Sequence, residues 1–318
     1  MTAIDDTPKP RITLKARLAR AWDSDLAWSF RHSPVAMIAA AMTVILLAAS
    51  LGANWIAPQD AFDPAALNLL DAYTKPGEAG MGTNTVYLLG TDNQGRDLFS
   101  AILYGSRVSL FVGFSSVAFS VVMGVGLGLL AGYVGGRTDA IIMRVADIQL
   151  SFPAILIALL FFGVARGLIP PSQHEQMAIW VLIVAIGLSN WAQYARTVRG
   201  STMVERNKEY VQAARVMGRP AFFIMARHIL PNVTGPVLVI ATINLALAII
   251  EEATLSFLGV GVPATQPSLG TLIRFGQQYL FSGEWWILFF PALALVLLAL
   301  SINLLGDWLR DALNPKLR

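Results

Sequence analysis

Residues 34–57 read PVAMIAAAMTVILLAASLGANWIA, a stretch of 24 residues without a charged side chain. As an α-helix this stretch would measure about 36 Å, which is enough to cross the roughly 30 Å hydrocarbon core of a bilayer with some tilt. The whole chain has 318 residues, of which 55% are hydrophobic and only 14% charged. Soluble domains carry about 25% charged residues. The composition therefore favours a membrane protein.

Five further apolar blocks predict transmembrane helices. Together with 34–57, the predicted spans are 109–134, 140–165, 177–195, 232–255 and 285–306. The third block lacks charge only from Ile148 onwards, and a start near Asp139 would place Arg144 and Asp147 on one helix face as a pair. The flanking parts are an N-terminal segment 1–33, an external loop 58–106 and a tail 307–318, and the core extends over 105–306. The sequence thus predicts an all-α membrane protein with six transmembrane helices.

The distribution of Lys and Arg predicts the orientation, because cytoplasmic segments carry an excess of both. The segment before the first span carries six, the loop between spans four and five carries seven, and the tail adds Arg310, Lys316 and Arg318. The opposite side holds Lys75, Arg96, Arg166 and Arg274. Both termini are therefore predicted to be cytoplasmic. Because 33 residues precede the first span, we expect it to be retained as an anchor and not cleaved as a signal peptide.

Two segments outside the spans have local patterns. Residues 14–30 carry apolar side chains at helical spacing, which predicts either a helix along the inner membrane surface or a solvated one. The external loop ends in LGTDNQGRD at 89–97. This pattern lacks the later ligand positions of a calcium loop. We expect a structured turn that docks a partner or seals the outer mouth.

Glycines and the absence of cysteine add two constraints. Gly124, Gly128 and Gly132 are each four residues apart in the second span, a spacing that lets another helix approach closely. We expect them to serve helix packing. The chain contains no cysteine, which excludes disulfides, thiolate metal sites and a cysteine nucleophile.

The loop 196–231 predicts a helix–turn–helix on the cytoplasmic side. Tyr210, Ala214 and Met217 fall on one helical stripe, Gly218 suits the position after a helix end, and Pro220 prevents continuation. A second short helix is predicted from 221 towards 231. We expect this unit to present a face of small residues to a partner protein, the alternative being an ordinary amphipathic surface helix.

This loop resembles the cytoplasmic hallmark of the transmembrane subunits of binding-protein-dependent ABC importers. The hallmark is Glu-Ala-Ala, three residues, Gly, nine residues and Ile-x-Leu-Pro, and the chain has Gln212-Ala213-Ala214, Gly218 and His228-Ile229-Leu230-Pro231 at that spacing. Gln212 stands in place of the acid and His228 in place of the first Ile. Further stretches are similar to the dipeptide, oligopeptide and nickel permease branch, and to its C-type subunit. Among them are 89–97, 104–110, 132–136, 151–153, 194–200, 256–259 and 303–311.

The resemblance implies a type I ABC importer permease fold in a bacterial inner membrane and a complex with three kinds of partner. These are a homologous permease subunit, two cytoplasmic ATPases and an extracytoplasmic solute-binding protein. ATP and Mg would be used by the ATPases, so neither catalytic residues nor a cofactor nor a metal is expected in this chain, and nucleic acid is not an expected partner. The solute would be a di- or oligopeptide, with nickel, a metal chelate or another small solute left open. The implied ATPase-coupling residues are Glu209, Tyr210, Gln212, Ala213, Ala214, Arg215, Gly218, Ile229, Leu230 and Pro231.

The sequence independently lacks the phosphate-binding pattern Gly-x-x-x-x-Gly-Lys-Ser/Thr, so energy would have to come from another protein. One alternative is a secondary transporter that uses Glu251 and Glu252, since acids within spans often relay protons. Glu252 lies about 30 Å along the helix from Asn232, so we expect it at the outer interface in a structural or gate-lining role. An intramembrane enzyme built on His32, His174 and His228 lacks metal-ligand spacing, and a passive channel would not explain the cytoplasmic helix.

Overall fold

The computed structural model describes residues 25–263 and 265–313, and within them the regular structure is helical apart from two isolated β-bridges. The helices are α1 Asp25–Arg31, α2 Pro34–Leu51, α3 Ala53–Ile56, α4 Leu98–Val134, α5 Gly136–Leu150, α6 Ala154–Leu168, α7 His174–Glu205, α8 Glu209–Val216, α9 Ala221–Ile224, α10 Leu230–Phe257, α11 Leu269–Tyr279 and α12 Trp286–Leu313. Residues 14–24 of the predicted surface helix, most of the basic N-terminal segment, and Lys316 and Arg318 of the tail lie outside the described residues.

Five of the described helical segments are long and apolar enough to cross a membrane. They are Pro34–Leu51, Leu98–Val134, Pro171–Glu205, Ala221–Phe257 and Trp286–Ala312. The pair α5 and α6 passes the same test together but is bent by 102°. Counted as one broken span, this pair brings the total to six, the number that the sequence predicts.

The segment predicted as one third span, 140–165, is two helices because the chain cannot stay helical at Ser151–Pro153. Proline lacks an N–H donor and disfavours helical angles in the residue before it, so α5 ends at Leu150 and α6 begins at Ala154. The predicted pairing of Arg144 with Asp147 is wrong. Asp147 instead accepts a hydrogen bond from Arg196 of α7 at 2.5 Å, because this part of α5 packs against α7, where Gln149 Nε2 also donates to Leu188 O at 2.6 Å.

The central packing unit is the pair α4 and α7, which lie side by side and run in the same direction. Ser120 donates a hydrogen bond to Gly187 O at 2.9 Å, and contacts further along pair residue 128 with 195 and residue 132 with 202. Residue numbers therefore rise together along both helices. Two parallel neighbours require the intervening segment, α5 and α6, to return across the membrane. The helix α10 packs against both in the opposite direction.

The external loop before α4 is a compact unit organised around Asp71, which is fully buried. Its carboxylate accepts hydrogen bonds from Gly82 N at 2.5 Å, Thr83 Oγ1 at 2.6 Å and the Tyr87 hydroxyl at 3.0 Å. The loop is joined to α12 through the Trp286 indole N–H, which donates to Thr91 O at 3.2 Å. The predicted structured turn is thus present, and its role as a dock or seal stays a prediction.

Candidate coupling site

The end of α8 follows the predicted glycine–proline signal. Gly218 has a φ of +73°, a conformation that a residue with a Cβ rarely adopts. Its N–H donates to Arg215 O at 2.9 Å, and the Arg219 N–H donates to Ala214 O at 3.1 Å. These two bonds form a Schellman motif, which satisfies the last carbonyls of the helix. Gly218 is therefore confirmed as the residue that ends α8, and Pro220 begins the next segment.

The inner face of α8 packs against the cytoplasmic ends of the spans through Val211 and Ala214, both fully buried. They belong to one hydrophobic cluster with residues of α4, α7 and the start of the α9–α10 segment. The other buried members are Leu129, Tyr194, Val198, Ile224, Ile229, Val233 and Val237. Close packing of Val211 and Ala214 into this cluster anchors the inner face of α8 to the bundle.

Hydrogen bonds join α8 to the ends of the same three spans. The Tyr210 hydroxyl donates to the Glu205 carboxylate at the end of α7 and accepts from Asn232 Nδ2 of α10 at 2.9 Å. Burial, with the neighbouring Glu205 carboxylate, raises the pKa of Tyr210, so the phenol keeps its proton at neutral pH. Arg215 Nε donates to the Tyr133 hydroxyl at the end of α4 at 3.3 Å. A displacement of α8 would therefore be felt by α4, α7 and α10 together.

The outer surface of this segment is an apolar tip, defined here as Val216, Met217 and Phe222. Their exposed fractions are 90%, 68% and 77%. The predicted stripe does not stay on one surface, because Ala214 faces the bundle while Met217 is at the tip. Ala213 is the alanine that remains exposed. Adjacent large apolar side chains with this exposure are typical of a surface that another protein covers.

Of the other residues that the family resemblance implies for ATPase coupling, some lie on the surface and some in the interior. Glu209 and Gln212 are exposed, and Gln212 Nε2 donates to Asn207 O at 3.0 Å. Ile229 is fully buried and cannot touch a partner directly. It lies in a π-helical turn, Met225–Ile229, that joins α9 to α10 without a break. The second helix predicted from 221 towards 231 is thus the beginning of the fifth span.

The glycines of α4 allow its close packing on α7. A Cβ at Gly124 would lie 2.5 Å from Trp191 O, one at Gly128 would lie 2.6 Å from Ala195 O, and one at Gly132 would lie 2.7 Å from Thr202 Cβ. Real Cβ atoms do not approach other atoms this closely. The packing geometry therefore fits the role expected for these glycines.

Polar side chains inside the spans form a second feature, which the sequence predicts only in part. Glu252 is fully buried and accepts a hydrogen bond from Ser256 Oγ at 2.7 Å. Glu251 is partly exposed and accepts one from Asn190 Nδ2 at 2.9 Å. Asn190 was not predicted from the sequence, where it is one of two amides, with Gln193, in a largely apolar block.

The histidines of the enzyme hypothesis are held by local contacts. His32 Nδ1 lies 2.9 Å from Trp28 O, and His174 Nε2 lies 2.8 Å from Ile169 O. Among residues 25–263 and 265–313, no three His, Cys, Asp or Glu side chains are grouped so that they could hold a metal ion.

Comparison with known proteins gives concordant matches in sequence and in fold. The family described as binding-protein-dependent transport system inner membrane component matches residues 124–318. The di/tripeptide transport system permease protein DppC of Pseudomonas aeruginosa is 35% identical, covering 100% of this chain and 99% of the relative. The dipeptide transport system permease protein DppC of Haemophilus influenzae is 37% identical, covering 91% and 93%. The probable D,D-dipeptide transport system permease protein DdpC of Escherichia coli is 35% identical, covering 92% and 91%.

Among solved structures, the MetNI methionine ABC transporter in an inward-facing conformation matches with a TM-score of 0.51 at 24% identity. The match covers 68% of this chain and 98% of that one. At this identity the likeness concerns the fold alone. It agrees with the all-helical membrane architecture described above.

Proposed function

Because the chain belongs to the family of binding-protein-dependent transport system inner membrane components, we propose that it is one permease subunit of an ATP-driven peptide importer. The observation that carries this proposal is α8, a short helix with an exposed apolar tip that is bonded to the ends of three spans. Such a helix can receive motion from a protein on one side of the membrane and pass it to the transport path.

The proposed complex contains a second, homologous permease, two cytoplasmic ATPases and an extracytoplasmic binding protein. The family description supports the binding protein. The exposed tip supports the ATPase contact, since large apolar side chains grouped in one short segment are costly to leave in water and are typical of a covered surface. ATP and Mg would be bound by the ATPases. Within this assembly Gln212, Ala213 and Arg215 would meet the ATPase surface beside the tip, while Ile229, Leu230 and Pro231 shape the support behind it.

In the proposed cycle, closure of the ATPase dimer pushes on α8, and the bundle changes from an inward-open to an outward-open form. Packed cores switch between discrete arrangements and do not deform gradually. The rigid attachment of α8 to α4, α7 and α10 would make these three helices move as one body. Peptide released by the binding protein would then enter the path between the two permeases.

Peptides are the proposed solutes because the relatives above are named as di- and tripeptide permeases. Uptake of nickel, a metal chelate or another small solute would use the same machinery.

A secondary transporter is the competing hypothesis, and Glu251 and Glu252 are its candidate groups. Among the described residues neither acid forms an ion pair with Lys, Arg or His, and a dependence of uptake on ATP would separate the two hypotheses.

The decisive experiment is uptake of labelled dialanine by proteoliposomes that hold the complete complex with its binding protein. We expect uptake to require ATP inside the vesicle and to persist after the proton gradient is collapsed. Uptake that follows a proton gradient without ATP would show a secondary transporter.

The apolar tip can be tested in the same system with Val216→Glu. A buried interface side chain replaced by a charge weakens binding by roughly tenfold or more, so we expect a corresponding loss of ATPase capture and of uptake. Val204→Glu is the control, because Val204 is also largely exposed, at 63%, but belongs to α7 and not to the tip. Normal capture of the ATPases by the Val216→Glu complex would contradict the coupling role.

A further inference from the structure

Glu251 lies in the membrane-spanning part of the chain with a carboxylate that the described residues do not neutralise. It is six residues before the end of α10, and its partner Asn190 is 16 residues after the start of α7 and 15 before its end. The Asn190 amide is its hydrogen-bond donor, at 2.9 Å. Lys, Arg and His of residues 25–263 and 265–313 make no ion pair with it.

The carboxylate is also not fully enclosed, in contrast to its neighbour. Glu252 is completely buried, whereas Glu251 keeps part of its surface exposed. A charged side chain within a membrane span is costly to expose to lipid and occurs where the span borders a water-filled cavity or a partner group. The exposed side of Glu251 therefore borders the transport path or the second permease, and not hydrocarbon.

Two more amides continue this polar seam between α7 and α10, and one of them, Asn244, is buried. Gln193 is exposed one turn after Asn190, and its Oε1 accepts from Asn244 Nδ2 at 3.4 Å. Asn190 and Gln193 are thus paired with Glu251 and Asn244 on the facing helix. Amides of this kind can donate to and accept from a peptide backbone, and a carboxylate can bind an ammonium group. The arrangement offers one anionic subsite and neighbouring neutral hydrogen-bonding groups.

We propose that Glu251, positioned by Asn190, binds the protonated amino terminus of a peptide during its passage, with Gln193 lining the same path and the buried Asn244 holding Gln193 from behind. This inference rests on the proposed function, since it names a substrate site within the peptide permease. The α-amino group of a peptide has a pKa of about 7.7 to 8.0 and is mainly charged at neutral pH. Its passage through a low-dielectric region needs a counter-charge, which Glu251 supplies.

The charge of Glu251 can be separated from its hydrogen bond by substitution. In Glu251→Gln the side-chain oxygen still accepts from Asn190, but the negative charge is lost. In proteoliposomes with the complete complex, we expect this variant to lower uptake of dialanine about tenfold, and Glu251→Asp to retain most of it. Uptake of N-acetyl-dialanine, which has no amino charge, should not fall. Glu78→Gln, in the exposed external loop, is the control for loss of one acid.

The possible results separate a failure of the proposed Glu251 subsite from a failure of the proposed peptide import. If the unmodified complex takes up no dialanine with ATP, the proposed function fails and this inference fails with it. If it does, and Glu251→Gln transports dialanine normally, the subsite is wrong and the proposed function stands. Equal loss for both peptides, with a less stable complex, would mean that Glu251 pairs with a cation of the second permease and would also overturn the subsite.

A second readout does not depend on transport and uses the absence of native cysteine. In Gln193→Cys, we expect the ratio of the reaction rate of a cationic methanethiosulfonate reagent to that of an anionic one to exceed, several-fold, the ratio for a free thiol in solution, because Glu251 attracts the cation. Adding Glu251→Gln should return the ratio to the free-thiol value. A thiol at 193 that reacts with neither reagent, or with the free-thiol ratio before Glu251 is changed, would contradict an aqueous path beside the carboxylate.

Discussion

Individual glycines of α4 differ in what a side chain would meet, and this difference gives a prediction at the residue scale. At Gly128 a Cβ would lie 2.6 Å from Ala195 O, whereas at Gly126 nothing lies within 4 Å. We expect Gly128→Ala to lower the stability of the protein by about 1–3 kcal/mol, the usual cost of overpacking, and Gly126→Ala to be neutral or slightly stabilising. Thermal unfolding in detergent measures both. Equal melting temperatures for the two variants would show that α4 and α7 are not in close contact.

Residue-scale features were predictable where a short range of sequence decides them. Gly218 and Pro220 end a helix by local backbone chemistry, and the structure confirms this. The pairing of Arg144 with Asp147 was wrong, because the choice between a neighbour on the same helix and Arg196 depends on tertiary packing. A bulky residue at Gly218 would strain the turn itself at φ +73°, so the exposed Val216 is the cleaner probe of coupling.

The external loop gives a prediction at the scale of an element, because its fold depends on Asp71. Burial by itself would raise the pKa of this carboxyl, but the hydrogen bonds from Thr83, Gly82 and Tyr87 outweigh it and the pKa is lowered. In Asp71→Asn the amide N–H₂ would face one of these donors. We expect a local loss of about 1–3 kcal/mol, seen as amide exchange in residues 78–87 that is roughly five- to 150-fold faster.

The pH dependence of the same loop follows from the lowered pKa of Asp71. The stabilisation is complete above the unfolded pKa of about 3.9 and is lost as the pH falls through the lower, folded pKa. Protection of residues 78–87 should therefore be constant from pH 7 to 5 and decrease below about 4, and Asp71→Asn should lack this acid step. The control is Asp63→Asn, because Asp63 is an exposed cap for which Asn serves equally well. An unchanged exchange rate in Asp71→Asn would remove Asp71 as the organiser of the loop.

Whole elements were predictable to the extent that composition decides them. Five of the six spans correspond to long apolar helices, because lipid exposure selects charge-free blocks whatever their neighbours are. The helices α4 and α7 extend well beyond their apolar blocks, since polar side chains can continue a helix into water or into contact with another element. The polar seam of Glu251, Asn190 and Gln193 was not predictable as a unit, because only the packing of α10 on α7 brings together residues about 60 positions apart.

For the whole molecule, the parallel packing of α4 and α7 places α8 on the same side of the membrane as the C-terminal end of α4. The residue numbers of contacting pairs increase together along both helices, from Ser120 with Gly187 to Gly132 with Thr202. Both helices can cross the membrane in the same direction only if α5 and α6 cross back between them. If this bent pair instead re-entered and left on the same side, α7 would run the other way. The parallel contacts exclude that arrangement.

Single cysteines test this topology, since the chain has none of its own. Met81 in the external loop is 92% exposed and Met217 in the apolar tip is 68% exposed. With an impermeant maleimide on spheroplasts that produce the permease without the ATPases, we expect Met81→Cys to react directly and Met217→Cys to react only after the membrane is permeabilised, because the excess of Lys and Arg places the loop around α8 in the cytoplasm. Labelling of Met217→Cys from outside would invert the orientation. An ATPase could then not reach α8, and the coupling mechanism would fail whatever the solute.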